Sequence, residues 1–336
     1  MPFNREKMRA GAAELAARGV YVGTSSWKYR GWAGMLYDDA RYIWRGKFSE
    51  ARFEKHCLRE YAEVFKTVCF DGAYYFYPSQ SYLEDLAAEV PPDFRFGFKV
   101  TEEITVKKFP NLARFGARAG QASPDFLNAD RFIKAYLEPL KAIRSKVGLL
   151  MFEFSRFYPT DYARGRDFLT DLDRFLEQLP RDWPYGIELR NRAWLGPDYF
   201  ACLSRHQVAH VFNSWSAMPA IGEQMALPGS RTNPDLCAAR LLLRPGRSYA
   251  EAVATFQPYN QTKEPYAEAR SAAAAFLQES LIETRRKTYL YVNNRLEGNA
   301  LETLDALLNL LQMVDPKASP KAPDHALRSA TPTKNL

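Results

Sequence analysis

Residues 147–154 read Val-Gly-Leu-Leu-Met-Phe-Glu-Phe, and residues 185–190 read Tyr-Gly-Ile-Glu-Leu-Arg. Both are short apolar runs that end on a carboxylate. They predict buried strands over Val147–Phe152 and Tyr185–Leu189. Between them, Arg166–Gln178 spaces its apolar residues as an amphipathic helix does. Strand, helix and strand in succession imply two parallel neighbours, because parallel strands need a crossover connection.

The same pattern extends in both directions. Further strands are expected at Val20–Thr24, Thr67–Phe70, Arg95–Val100, Ala209–Phe212, Ala239–Leu243 and Thr288–Val292. Helical spacing recurs at Phe48–Val64, Tyr82–Glu89, Ala129–Arg144, Asp198–Arg205, Pro265–Thr284 and Leu301–Met313. Asn299 and Glu302 give the last of these an Asx-x-x-Glu capping signature. Eight strand–helix repeats in a chain of 336 residues point to an α/β fold of the TIM-type (β/α)8 barrel class, with an open doubly wound sheet as the alternative. The expected organisation is a helical extension over 1–19, one barrel over 20–314 and a disordered tail over 315–336. Two stretches, Thr101–Asn128 and Trp215–Asp235, read as long loops at strand ends, where barrels place functional groups.

Composition narrows the class. Apolar residues make up 46% of the chain, enough for a large core and too many for wholesale disorder. No run approaches 18 apolar residues, so no membrane span is expected. The charged N-terminus lacks the apolar core of a signal peptide. The cysteines Cys57, Cys69, Cys202 and Cys237 form no Cys-x-x-Cys pair, which supports neither a zinc knuckle nor a redox motif. A reducing cytoplasm is the expected compartment.

Residues 1–150 hold 24 basic and 18 acidic side chains, whereas the remainder is close to balanced. That bias fits an anionic partner such as phosphate or nucleic acid; the favoured bland reading is ordinary solvated surface charge, since no dense basic run occurs. Lys28–Arg59 interleaves basic residues with Tyr29, Trp32, Tyr37, Tyr42 and Trp44, which makes nucleic acid a candidate partner. The bland reading is a first loop packed over the barrel rim.

The strand ends supply the candidate site. Glu153 and Glu188 end consecutive strands between apolar neighbours, and Asp71 follows strand two. They are the candidate catalytic residues: neighbouring carboxyls at strand spacing suit acid/base work. Arg190, Lys99 and Arg244 are the candidate cations for an anionic group. Ser25, Trp27, Tyr75, Asn213, Trp215 and Asn293 complete the expected ligand-binding set. An equal alternative has Glu188 and Arg190 joining an ion-pair network that closes the barrel mouth.

No cofactor is expected. Asp71, Glu153 and Glu188 offer oxygen ligands for a divalent metal, but carboxylates alone are a weak signal. The histidines His56, His206, His210 and His325 make no His-x-His or His-Glu-x-x-His pattern. No nucleophile elbow, phosphate loop or dinucleotide fingerprint occurs. The sequence therefore leaves three readings open: an enzyme acting on a small polar or anionic substrate, a nucleic-acid-binding protein, and a non-catalytic ligand-binding barrel. The oligomeric state is not legible.

Several blocks together resemble the YecE-like family, domain of unknown function 72. They are Gly23-Thr24-Ser25-Ser26-Trp27 with Gly31-Trp32, Tyr74-Tyr75 before Pro78-Ser79, and Pro92-Asp93-Phe94-Arg95-Phe96 with Lys99. Glu188-Leu189-Arg190 before Trp194, Arg244-Pro245-Gly246-Arg247, and Tyr291-Val292-Asn293-Asn294 with Gly298 continue the likeness. The resemblance implies a TIM-type barrel and supplies no activity. Relatives commonly carry Val-Glu-x-Asn and Phe-Gln-Leu-Pro where this chain has Val68-Cys69-Phe70-Asp71 and Phe152-Glu153-Phe154-Ser155. That departure implies a more acidic pocket.

Overall fold

A computed structural model describes residues 3–283 and 285–314. The tail over 315–336, expected to be disordered, lies outside the described residues. Eight strands form one parallel sheet: β1 Val20–Thr24, β2 Thr67–Phe70, β3 Arg95–Lys99, β4 Val147–Phe154, β5 Tyr185–Leu189, β6 Ala209–Asn213, β7 Leu236–Leu241 and β8 Lys287–Val292. Their order is β1-β8-β7-β6-β5-β4-β3-β2, and a helix follows every strand. The result is a nearly closed TIM-type barrel. The helix Arg5–Ala17 precedes β1 and buries Met8, Ala12 and Leu15.

Strand periodicity sorts the side chains into two shells. Phe96, Phe98, Leu150, Phe152, Ile187 and Phe212 point outward into the main core, against the helices. Burying each such ring or aliphatic chain stabilises the fold by roughly 1.5–3 kcal/mol. The alternate residues Cys69, Leu149, Met151, Val211, Ala238, Tyr289 and Tyr291 fill the barrel interior. The Tyr291 ring reaches across to β3, where only Gly97 leaves it room.

The sheet does not close by a ladder between its edge strands β1 and β2. A side chain bridges the seam instead. Tyr61, on the helix Glu50–Ala62, accepts from the Thr24 backbone N–H at 3.1 Å and donates to the Thr67 carbonyl at 3.0 Å. Gly23 allows this approach, since a Cβ there would overlap the Thr67 carbonyl oxygen.

Several expectations shift: β4 runs past Phe152 to Phe154, and the expected loop Trp215–Asp235 holds the helix Ile221–Met225. The seventh strand starts and ends earlier than Ala239–Leu243, so Arg244 falls beyond its end. The capping signature is half formed: Asn299 Oδ1 accepts from Leu301 and Glu302 N–H, but the Glu302 carboxylate accepts from Thr262 N–H. The long segment after β3 holds the helix Glu102–Thr105 and a 3-10 stretch over Ala113–Arg118. Among the described residues no helix is long and apolar enough to cross a membrane.

Candidate active site

The top layer of the barrel interior is charged. Lys99 ends β3, Glu153 lies near the end of β4, Glu188 lies in β5 and Arg240 in β7. Asp71 and Arg190 directly follow β2 and β5. Glu153 and Glu188 are register partners on adjacent strands, so two like charges stand side by side. The cations between them make this tolerable.

Arg190 Nη2 lies 2.8 Å from Glu153 Oε2 and 2.7 Å from Glu188 Oε1. Arg240 Nη1 reaches Glu188 Oε2 at 2.8 Å, and its Nη2 donates to both Asp71 oxygens at 2.7 and 2.9 Å. The Lys99 ammonium pairs with Glu153. Three cations and three anions thus alternate from Lys99 to Asp71. Buried charges survive only when paired in this way, since each isolated ion costs several kcal/mol to desolvate.

The electrostatics follow. Burial pushes the Glu153 carboxyl up, but Arg190, Lys99 and Arg240 outweigh it and hold the group down at about 2. Burial works against the charge on Arg240, yet Asp71 and Glu188 raise its pKa well above the ordinary value. Burial first, and then the Glu153 charge, raise the Tyr74 phenol.

Above this layer opens a cavity of about 560 Å³. Its floor is Asp71, Lys99, Glu153, Arg190 and Arg240, and its walls include Tyr74, Tyr75, Trp215 and Tyr249. The segment after β3 contributes Thr105–Leu112 and Arg114 as one side of the mouth. Eight basic and three acidic side chains line the whole. Many of these cations lie against aromatic rings: Lys99 on Tyr74 at 3.6 Å, Arg190 on Trp215 at 3.7 Å, Lys107 on Tyr162 at 3.4 Å and Arg295 on Tyr249 at 4.6 Å. Arg114 is bound by Glu102. Lys107, Lys108, Arg156 and Arg295 have no carboxylate partner among the described residues.

The structure brings together Asp71, Glu153, Arg190, Lys99, Tyr75 and Trp215 around this cavity. Glu188 stands behind them, 0% exposed, with both oxygens engaged by arginines. It does not border the cavity, so its position matches the ion-pair network rather than acid/base contact with a ligand. Arg244 is placed elsewhere: it donates to the Pro265 carbonyl and lies on Tyr266. Ser25, Trp27, Asn213 and Asn293 are buried and do not line the cavity. Trp27 packs on Phe70, Asn213 donates to the Leu189 carbonyl, and Asn293 accepts from Arg295 N–H.

The three carboxylates proposed as metal ligands each face a guanidinium or ammonium group, leaving no open oxygen cage. The more acidic pocket expected from the resemblance is not what forms: the two floor carboxylates, Asp71 and Glu153, meet three cations, and the lining as a whole is basic. In Lys28–Arg59, Trp32, Tyr37 and Tyr42 are buried, while Arg30 pairs with Asp39 and Arg41 with Glu63. Trp44 remains exposed, with Arg45 and Arg52 near its ring.

Sequence reading missed Arg240. Its signal was available: one arginine in the run Leu236-Cys237-Ala238-Ala239-Arg240-Leu241, at the inward parity set by Ala238. Lys107, Lys108, Arg156 and Arg295 were also missed, because they reach the cavity from loops and carry no strand-end signal, and Tyr249 because it opens the helix Tyr249–Phe256.

Fold and site together define a β/α barrel with a charged cavity at the carboxyl ends of its strands. The family model described as "Protein of unknown function DUF72" matches residues 21–327, and the chain belongs to that family. It is similar in fold to a DUF72 family protein from Enterococcus faecalis, with 19% identity over 87% of this chain and 95% of that one and a TM-score of 0.60. A DUF72 family protein from Thermotoga maritima aligns at 19% identity over 88% of this chain and 98% of that one, with a TM-score of 0.51. No curated protein matches the chain.

Proposed function

We propose that the cavity binds a small phosphate- or carboxylate-bearing anion, with its charged group against Lys99 and Arg190 and the rest of the molecule between Tyr75, Trp215 and Tyr249. One observation carries this reading. The floor cations Lys99, Arg190 and Arg240 are matched by Asp71, Glu153 and the Glu188 behind them, whereas the rim adds Lys107, Lys108, Arg156 and Arg295 against Asp161. An excess of positive charge at the mouth of a cleft attracts and holds anions.

The acid/base chemistry within reach is that of Lys99 and Glu153. A carboxylate held ionised by three cations is a weak base, so the pair suits stabilisation of developing negative charge better than proton abstraction. Glu188 is then a positioning residue: it sets the guanidinium planes of Arg190 and Arg240. A non-catalytic ligand-binding barrel would use the same contacts, and the two readings separate on turnover.

A thermal-shift comparison tests the proposal. A sugar phosphate, citrate and pyrophosphate are expected to raise the unfolding temperature, and the uncharged sugar is not. Equal shifts with charged and uncharged compounds, or none with any anion, would overturn it.

A further inference from the structure

A second cluster of reactive side chains lies outside the barrel, in the helical layer. Asp173 projects from the helix Gly165–Glu177, and Cys202 and His206 come from the last turn of Pro197–Arg205 and its cap. Cys202 and His206 are four residues apart, which places them on one helix face. The neighbouring helix supplies the carboxylate.

We propose that Asp173, Cys202 and His206 form a site for a transition-metal ion of the zinc class. His206 Nε2 lies 2.7 Å and Cys202 Sγ 3.7 Å from the same oxygen, Asp173 Oδ1. All three donor atoms lie within 4.8 Å of one another. In a tetrahedral zinc site with bonds of about 2.0–2.3 Å, neighbouring ligand atoms stand about 3.3–3.8 Å apart. Shifts well under the length of one bond would bring these three to that spacing.

The donor set is one thiolate, one imidazole and one carboxylate. That mixture suits zinc or cobalt and is a poor match for magnesium or calcium. The His206 side chain is 6% exposed and that of Asp173 is 38%. The site is therefore closed on the helix side and open at the carboxylate, which leaves a fourth position for water. Arg205 also touches Asp173 Oδ1, at 2.8 Å. Its guanidinium is largely exposed and can leave when the ion takes that oxygen.

The proton balance is simple. The Cys202 S–H bond breaks, a sulfur–metal bond forms and the proton passes to solvent. The imidazole proton moves from Nε2 to Nδ1 as Nε2 takes the metal. The ion then clamps two consecutive β/α helices together and stabilises the fold by binding the native state.

The test uses the full-length chain, reduced, stripped with a chelator and titrated with cobalt(II). The expected result is one equivalent bound, with a thiolate-to-cobalt charge-transfer band that zinc abolishes by displacement. Cys202→Ser should remove the band. Asp173→Asn, at a partly exposed position, should keep the fold and weaken cobalt binding by about tenfold or more. Zinc should also slow alkylation of Cys202 in the wild-type chain. No charge-transfer band at saturating cobalt, a band that survives Cys202→Ser, unchanged affinity in Asp173→Asn, or an unchanged alkylation rate would each overturn the proposal.

Discussion

Arg240 Nη1 lies 2.8 Å from Glu188 Oε2 in the closed interior of the barrel, and both side chains are essentially without solvent contact. The same guanidinium holds Asp71 through its other nitrogen. Removing it leaves the fully buried Glu188 with Arg190 alone and leaves Asp71, at the cavity floor, without its cation. Arg240→Met is therefore expected to destabilise the protein by about 3–5 kcal/mol. Urea unfolding at neutral pH reads this directly, and a loss under about 1 kcal/mol would show that the network does not depend on this residue.

Glu153 sets a pH dependence. Its folded pKa, held at about 2, lies below the ordinary glutamate value of about 4.3. The unfolded chain binds the proton first, so the contribution is fully present above that ordinary value and is lost as pH falls through about 2. Acid unfolding followed by circular dichroism should be shallower between these limits in Glu153→Gln than in the wild type.

The Tyr61 hydroxyl replaces ladder bonds between the edge strands. Tyr61→Phe leaves the Thr24 N–H and the Thr67 carbonyl without this partner in a buried seam. The expected cost is about 1–3 kcal/mol. Hydrogen exchange should locate it: the Thr24 amide should lose more protection than amides in β5, on the far side of the sheet.

Arg244 separates the sequence expectation from the observed site. It holds the Glu264–Pro265 backbone and does not line the cavity. Arg244→Ala should leave the anion-induced thermal shift of the folded protein unchanged. A shift that disappears in this variant would place the binding site elsewhere.

The fold was readable because its strands obey a simple rule. Val20–Thr24, Thr67–Phe70 and Tyr185–Leu189 are short runs between turn or charged residues, and local sequence sets their limits. The seventh strand was less readable. Leu236–Leu241 continues into Leu242 and Leu243 with no change in apolar character, so the sequence does not mark where the strand ends, and it points to Arg244 where the structure has Arg240. Glu153 and Glu188 were legible as strand-end carboxylates. Which of them borders the cavity was not, because that depends on where Arg190 and Arg240 fold across them. The basic rim was illegible for a related reason: Lys107, Lys108 and Arg156 come from loops whose course no strand periodicity encodes. Asp173 likewise meets Cys202 and His206 only through the packing of two helices.

Calorimetric titration of pyrophosphate into the wild-type chain and the Lys108→Ala/Arg156→Ala double variant, at low ionic strength, tests the central claim most directly. Both substitutions lie at the exposed mouth and should change stability by no more than about 0.5 kcal/mol. An anion-binding cavity predicts saturable binding to the wild type, weakened at least about tenfold in the variant and further by added salt. Equal affinity in the two proteins, or no binding to the wild type, would contradict it.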